Sequence, residues 1–90
     1  MELSYDEEKR RRTLIERGID FARAEEIFSG TEFTWIDDRA EYGETRFNTF
    51  GLLDGRLVVL TWTIRDTKRR IISMRKANER EQKRYQSTLD

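Results

Sequence analysis

Arg65-Asp66-Thr67-Lys68-Arg69-Arg70-Ile71-Ile72-Ser73-Met74-Arg75-Lys76 sets six cations around a turn and along an apolar strand. It reads as the end of one strand, a three-residue turn at Asp66-Thr67-Lys68, and the start of the next, so much of its charge is fixed on a sheet. Cations held in place this way point to an anionic partner. Upstream, Asp54-Gly55 is a strong two-residue hairpin signal. It sets Leu53 opposite Arg56, Gly51 opposite Val58, Thr49 opposite Leu60, Phe47 opposite Trp62 and Thr45 opposite Ile64.

The three-residue turn in its place sets Arg65 opposite Arg69, Thr63 opposite Ile71, Thr61 opposite Ser73 and Val59 opposite Arg75. Because strand side chains alternate faces, the two registers can be combined. One face then collects Phe47, Val58, Leu60, Trp62, Ile64, Ile72 and Met74, which should bury against helices. The other collects Arg46, Asn48, Thr61, Thr63, Arg65, Arg69, Ser73 and Arg75, with Phe50, Leu52, Leu57, Val59 and Ile71 among them. Arg70 falls on the first face and joins the other arginines only from an edge or an end.

Nearer the N-terminus, Leu3-Ser4-Tyr5 has extended character and Asp6 caps a helix that runs to about Arg17 and closes on Gly18. Leu14 and Ile15 are its expected inward residues, and the run Lys9 to Arg12 reads first as a solvated face, with an RNA or partner contact as the alternative. Asp20 caps a second helix with Phe21, Ala24, Ile27 and Phe28 at helical spacing, and Gly30 stops it. Phe33 to Ile36 is a strand. The loop 37–43 leads to Glu44, and its acids (Asp37, Asp38, Glu41, with Glu44) follow no recognised metal-ligand spacing. Ala77 to Leu89 has helical propensity, with Ala77, Tyr85 and Leu89 as its apolar stripe. The expected fold is α+β: a short N-terminal strand and two helices packed on an antiparallel β-meander of about four strands, then a C-terminal helix, all in one domain spanning residues 1–90.

Charged residues make up 40 % of the chain and the mean hydropathy is −0.90, values that lean towards disorder; ten aromatics in patterned blocks lean back to a packed fold. The zero net charge hides an asymmetry. Residues 1–45 hold thirteen acids against seven bases, and residues 46–90 hold five against eleven, which suits the second half to phosphate. The chain has no cysteine and no histidine. That removes disulfides, thiolate nucleophiles, the commonest general base and the commonest metal ligand. No apolar run approaches a membrane span and no signal peptide is visible, so a cytoplasmic protein is expected.

Several blocks resemble the BrnT family, the toxin half of a bacterial type II toxin-antitoxin pair with a RelE-like ribonuclease fold. They run from Tyr5-Asp6 and Lys9, through Gly18-Ile19-x-Phe21, Ala24 and Ile27-Phe28, to Gly43-Glu44-x-Arg46, Gly51 and Gly55-Arg56-Leu57-x-Val59. The most specific is Thr63-x-Arg65 followed by Arg70-Ile71-Ile72-Ser73-Met74-Arg75-Lys76-Ala77, with Arg80-Glu81 and Tyr85 beyond. The chain departs from the family's usual Lys-His-Gly at Glu16-Arg17-Gly18, from a common asparagine at Thr13 and from a frequent alanine at Met74. The resemblance implies endonucleolytic RNA cleavage and inhibition of translation, with no cofactor or metal. It also implies neutralisation by a dimeric ribbon-helix-helix antitoxin resembling BrnA, in a two-and-two heterotetramer that touches DNA only through the antitoxin.

Metal-free RNA cleavage uses the adjacent 2′-hydroxyl as nucleophile. The protein must align the strand, move two protons and stabilise charge at phosphorus. Arginine suits the last task, since its planar fork grips phosphate twice and stays charged. Arg65 and Arg75 are the first candidates, supported in RNA binding by Arg46, Arg69, Arg70, Thr63 and Ser73. Glu44 is a candidate base, and Lys76 or Tyr85 a candidate acid. Two other readings fit the same residues: a sheet that holds RNA without cutting it, and a surface that serves protein interaction alone.

Overall fold

The computed structural model describes residues 1–39 and 43–89; Glu41, one of the loop acids, lies outside them. In chain order it contains β1 (Leu3–Ser4), α1 (Glu7–Arg17), a 3-10 turn (Phe21–Arg23) and α2 (Ala24–Ser29). There follow β2 (Phe33–Asp37), β3 (Arg46–Leu53), β4 (Arg56–Arg65), β5 (Lys68–Lys76) and α3 (Glu79–Leu89). The five strands form one sheet in the order β1-β5-β4-β3-β2. β2 to β5 are the expected antiparallel meander, and β1 adds a parallel edge on β5.

Local chemistry accounts for the boundaries. Asp6 accepts the Lys9 N–H at 3.0 Å to open α1, and Gly18, at φ 70°, closes it with its N–H on Leu14 O. Asp20 accepts the Ala22 N–H at 2.9 Å and also holds Arg10 at 2.8 and 3.2 Å, so one carboxylate caps the 3-10 turn and ties it to α1. We expect Asp20→Ala to cost about 1–2 kcal/mol. Thermal unfolding checks this, each kcal/mol lowering the midpoint by roughly 4–8 °C in a chain of this size.

The β3–β4 hairpin has the expected register, from Leu53↔Arg56 to Phe47↔Trp62. Between β4 and β5 the structure corrects the expectation. The connection is a two-residue turn with Asp66 and Thr67 both at positive φ, so Arg65 pairs with Lys68. A bulge then absorbs one residue: Trp62 pairs with Ile71 and Thr61 with Ser73, leaving Ile72 as the extra residue. Val59↔Arg75 and Thr61↔Ser73 are as expected, but the pairings nearer the turn become Thr63↔Arg70 and Ile64↔Arg69. Ile71, expected outward, is 2 % exposed in the core, and Arg69 and Arg70 exchange faces.

The sheet is covered on both sides, each time only in part. On the core face Ile19, Phe21, Ala24 and Ile27 pack on Leu53, Val58, Leu60, Trp62, Ile71 and Met74. Gly51 lies directly under Ile27, and α2 can sit this close because the strand offers no side chain there. On the outer face α3 brings Tyr85, with Ala77, onto Phe50 and Val59 beside Phe33, Trp35 and Leu57. Phe50, expected on an open face, is therefore 1 % exposed. α1 contributes little to either core. Thr13 is its buried residue, while Leu14 and Ile15, expected inward, are 42 % and 79 % exposed.

Candidate functional site

Where α3 ends its cover, the outer face becomes polar. Its floor carries Arg46 and Asn48 on β3, Thr61, Thr63 and Arg65 on β4, and Arg70, Ser73 and Arg75 on β5, as the pairings require. Arg70 reaches this face because the bulge inverts the sidedness of the strand between Ile72 and the turn. Thr61 donates to Asn48 Oδ1 at 2.7 Å, and Thr63 donates to the Thr45 carbonyl at 2.6 Å. Both hydroxyls brace the floor.

α1 runs beside β5 and brings further cations to this floor. Lys9, Arg12, Thr13, Glu16 and Arg17 line, with Ser73, a cleft of about 190 Å³. Arg17 is tied down by a hydrogen bond to the Met74 carbonyl at 2.9 Å. Ser73 also lines a second cleft, of about 290 Å³, whose walls include Trp35, Arg39, Thr61, Arg75, Glu81 and Arg84. Ser73 lines both clefts, so the polar strip from α1 across Ser73 to α3 is a candidate trough.

The cations differ in their pairing. Arg75 is held bidentate by Glu81 at 2.7 and 2.8 Å, and Arg65 reaches Glu44 at 2.9 and 3.1 Å. Glu44 also accepts from Arg46 at 3.4 Å. Arg65, then Arg46, hold the Glu44 carboxyl below its ordinary range, so it is a fixed anion. Lys9 moves the other way for a cation. Partial burial, then the charge of Arg46, weakens its hold on its proton, and Arg12 and Arg17 add to the effect. Arg70 is close enough to the start of α1 for its charge to be felt at Asp6.

The candidates named from the sequence divide. Arg46, Thr63, Arg65, Arg70, Ser73, Arg75 and Glu44 share the outer side. Arg75 is level with Val59, six positions along β4 from Arg65, roughly 20 Å of strand. They can therefore hold different phosphates of one strand, not the same one. Arg69 lies on the core face, over the rings of Phe28 and Trp62. Lys76 projects to that side as well, lining a separate cleft with Gly18, Ile19 and Arg23. Tyr85 is buried and donates its hydroxyl to the Thr31 carbonyl at 3.2 Å. None of these last three enters the trough.

Lys9 belongs to the four-cation run for which an RNA contact was the second reading, and it was not among the named candidates. Its signal was in the spacing: residues 9, 13 and 17 share one side of a helix, and the middle one is a threonine. Among the described residues no group of three histidine, cysteine, aspartate or glutamate side chains could hold a metal ion, and no helix is long and apolar enough to cross a membrane.

The carboxylates also set an acid limit. Asp37, with its side chain 1 % exposed, is gripped by Arg39 at 2.8 Å through both oxygens. That pairing holds its carboxyl far below the ordinary value of 3.8 despite burial. A depressed folded-state pKa contributes stability that is present above the unfolded value and lost as pH falls towards the folded one. Stability should therefore decline below about pH 4, and Asp37→Asn should flatten that decline in pH-resolved thermal melts.

Compared with protein-family models, residues 5–81 match the one described as a ribonuclease toxin, BrnT, of type II toxin-antitoxin systems. No curated protein matches the chain.

Proposed function

The chain belongs to the BrnT family of ribonuclease toxins of type II toxin-antitoxin systems, and from that membership we propose that it is a metal-independent endoribonuclease whose RNA lies in the trough between α1 and α3. Membership itself implies an RNA target and an antitoxin partner. The observation that supports the site most is the cleft in which Lys9, Arg12 and Arg17 of α1 meet Ser73 of the sheet, on the face that also carries Arg46 and Arg70.

In this reading the substrate's 2′-oxygen attacks the neighbouring phosphorus, and the bond to the 5′-oxygen breaks. Glu44, kept ionised by Arg65 and Arg46, accepts the proton of the 2′-hydroxyl. Arg46 and Arg70 face the charge that accumulates on the phosphoryl oxygens, the point where fixed donors contribute most. Lys9, whose proton is loosened by burial and by like charge, delivers it to the departing 5′-oxygen. Arg75 exchanges Glu81 for phosphate, Arg65 keeps Glu44 while it reaches phosphate, and the two hold the strand on either side. The products are a 2′,3′-cyclic phosphate and a 5′-hydroxyl end. Loss of RNA inhibits translation in the cytoplasm. The antitoxin is a ribbon-helix-helix protein resembling BrnA, joined two to two, and DNA is reached through it.

Incubating the purified protein with RNA in EDTA and mapping the ends tests this. Cyclic phosphate ends are expected. RNA that is shifted on a gel but left intact would instead make the trough a binding surface.

A further inference from the structure

α2 has six residues and rises roughly 9 Å, whereas β4 has ten and runs roughly 33 Å. The helical layer therefore ends before the sheet does, at Phe28. Phe28 stands edge-on to Trp62 with ring centres 5.3 Å apart, and Phe47 stacks on the same indole at 4.6 Å. Beyond them the register sets Ile36 beside Phe47, and Ile64 beside Arg69, on the same side of the sheet. Ile36 is 59 % exposed and Ile64 52 %. A single exposed isoleucine is ordinary, but two that flank a partly open aromatic trio make a patch.

Arg69 lies across that patch. Its guanidinium is 3.8 Å from the centre of the Phe28 ring and 5.2 Å from that of Trp62. Its Nε is buried without a hydrogen-bond partner. On the other face Arg65 and Arg75 both have carboxylates, yet no carboxylate is paired with Arg69 among the described residues. A guanidinium held on aromatic rings without an anion is a ready-made socket for one.

We propose that this patch is where the antitoxin docks, by laying down an amphipathic helix that continues the layer α2 leaves unfinished. Apolar residues of that helix cover Phe28, Phe47, Ile36 and Ile64, and an aspartate or glutamate among them meets Arg69. The apolar sheet surface calls for a helical layer, and the unpaired Arg69 calls for the acid. The proposal rests on the toxin-antitoxin reading. It also sets the docking residues on the face of the sheet opposite the RNA trough, so affinity for the antitoxin and cleavage of RNA are separable by mutation.

The test is calorimetric titration of the parent, Ile64→Asp, Ile36→Asp and Arg69→Glu with the purified ribbon-helix-helix antitoxin. Ile15→Asp, on the exposed side of α1, is the control. The three patch variants are expected to lose about 30-fold or more in affinity, with Ile15→Asp unchanged and Ile64→Asp cutting RNA at the parental rate. Thermal melts identify any variant that has unfolded, and Ile36→Asp on the edge strand then stands in for Ile64→Asp. Patch variants that bind like the parent overturn the docking site and leave the ribonuclease reading intact. A parent that does not bind the antitoxin overturns both the site and the toxin-antitoxin reading. If Ile64→Asp disperses a dimer of the free chain while antitoxin binding persists, the occupant is a second copy and the proposal fails.

Discussion

Lys9→Ala is expected to slow RNA cleavage by about 10²–10⁴-fold, the range for loss of a positioned proton donor. Binding of uncut RNA should fall far less, because Arg46, Arg70 and the cations of α1 remain. Lys9→Arg separates charge from proton transfer. Arginine keeps the positive charge but does not release its proton near neutrality, so this variant should bind RNA like the parent and cleave as slowly as alanine. Single-turnover cleavage of a labelled RNA, with anisotropy for binding, gives both quantities. A Lys9→Arg protein that cuts at the parental rate would remove Lys9 from the chemistry and leave it as a phosphate contact. The parental rate should also drop as pH rises towards the Lys9 pKa, and that drop should begin below 10.5, because burial and Arg46 lower the value.

The second large effect is on folding. A Cβ placed on Gly51 would come 2.3 Å from Ile27 Cγ2 and 3.3 Å from its Cβ. Ile27 is 1 % exposed and has no room to retreat. Gly51→Ala should cost about 1–3 kcal/mol by overpacking, and Gly51→Val more. A chain of this length has roughly 5–13 kcal/mol in all, so the valine variant is expected to melt cooperatively only at much reduced temperature. Ile27→Ala should partly rescue Gly51→Ala, since it removes the atom that clashes and the new methyl occupies part of the resulting cavity. Denaturant titration of the four proteins in that cycle measures the coupling. Additive losses would mean that the contact between α2 and β3 is looser than the geometry gives.

Legibility in the sequence followed the strength of the local signal. Asp54-Gly55 supplies positive φ cheaply, and the hairpin built on it has the register that the alternation required. Asp6 and Gly18 named their caps correctly for the same reason, since each has one chemistry to perform, while Asp20, expected to open the second helix, caps the 3-10 turn ahead of it. The turn at Asp66-Thr67 was read one residue too long because Thr67 does not advertise a left-handed conformation, which a β-branched residue rarely adopts. The error cancels at the bulge. Thr61↔Ser73 and Val59↔Arg75 come out the same with either turn, and only the five residues between Lys68 and Ile72 report the difference.

That short segment holds the two arginines whose faces exchange, so the site was legible in composition and not in detail. Arg46, Arg65, Ser73 and Arg75 were placed on the correct side by alternation alone. Arg70 needed the bulge. Lys9 needed the position of α1, whose apolar residues Leu14 and Ile15 misdirect: they face outward while the polar stripe through Thr13 meets the sheet. A helix that turns charge inward defeats a rule built on burial of apolar surface.

The two-residue strand at the start of the chain has a consequence in time. Leu3 and Ser4 pair with Arg69 and Arg70, residues sixty-six positions later. During synthesis the first strand has no edge to join until the last strand has emerged from the ribosome, and α1, which follows it, cannot be fixed against β5 before then. Closing so long a loop is a late step in folding. The cleft that sets Lys9 over Ser73 therefore comes into being only after β5 has been made. Until then the cations of α1 and of the β3–β4 hairpin are present without the strand that brings them to one face.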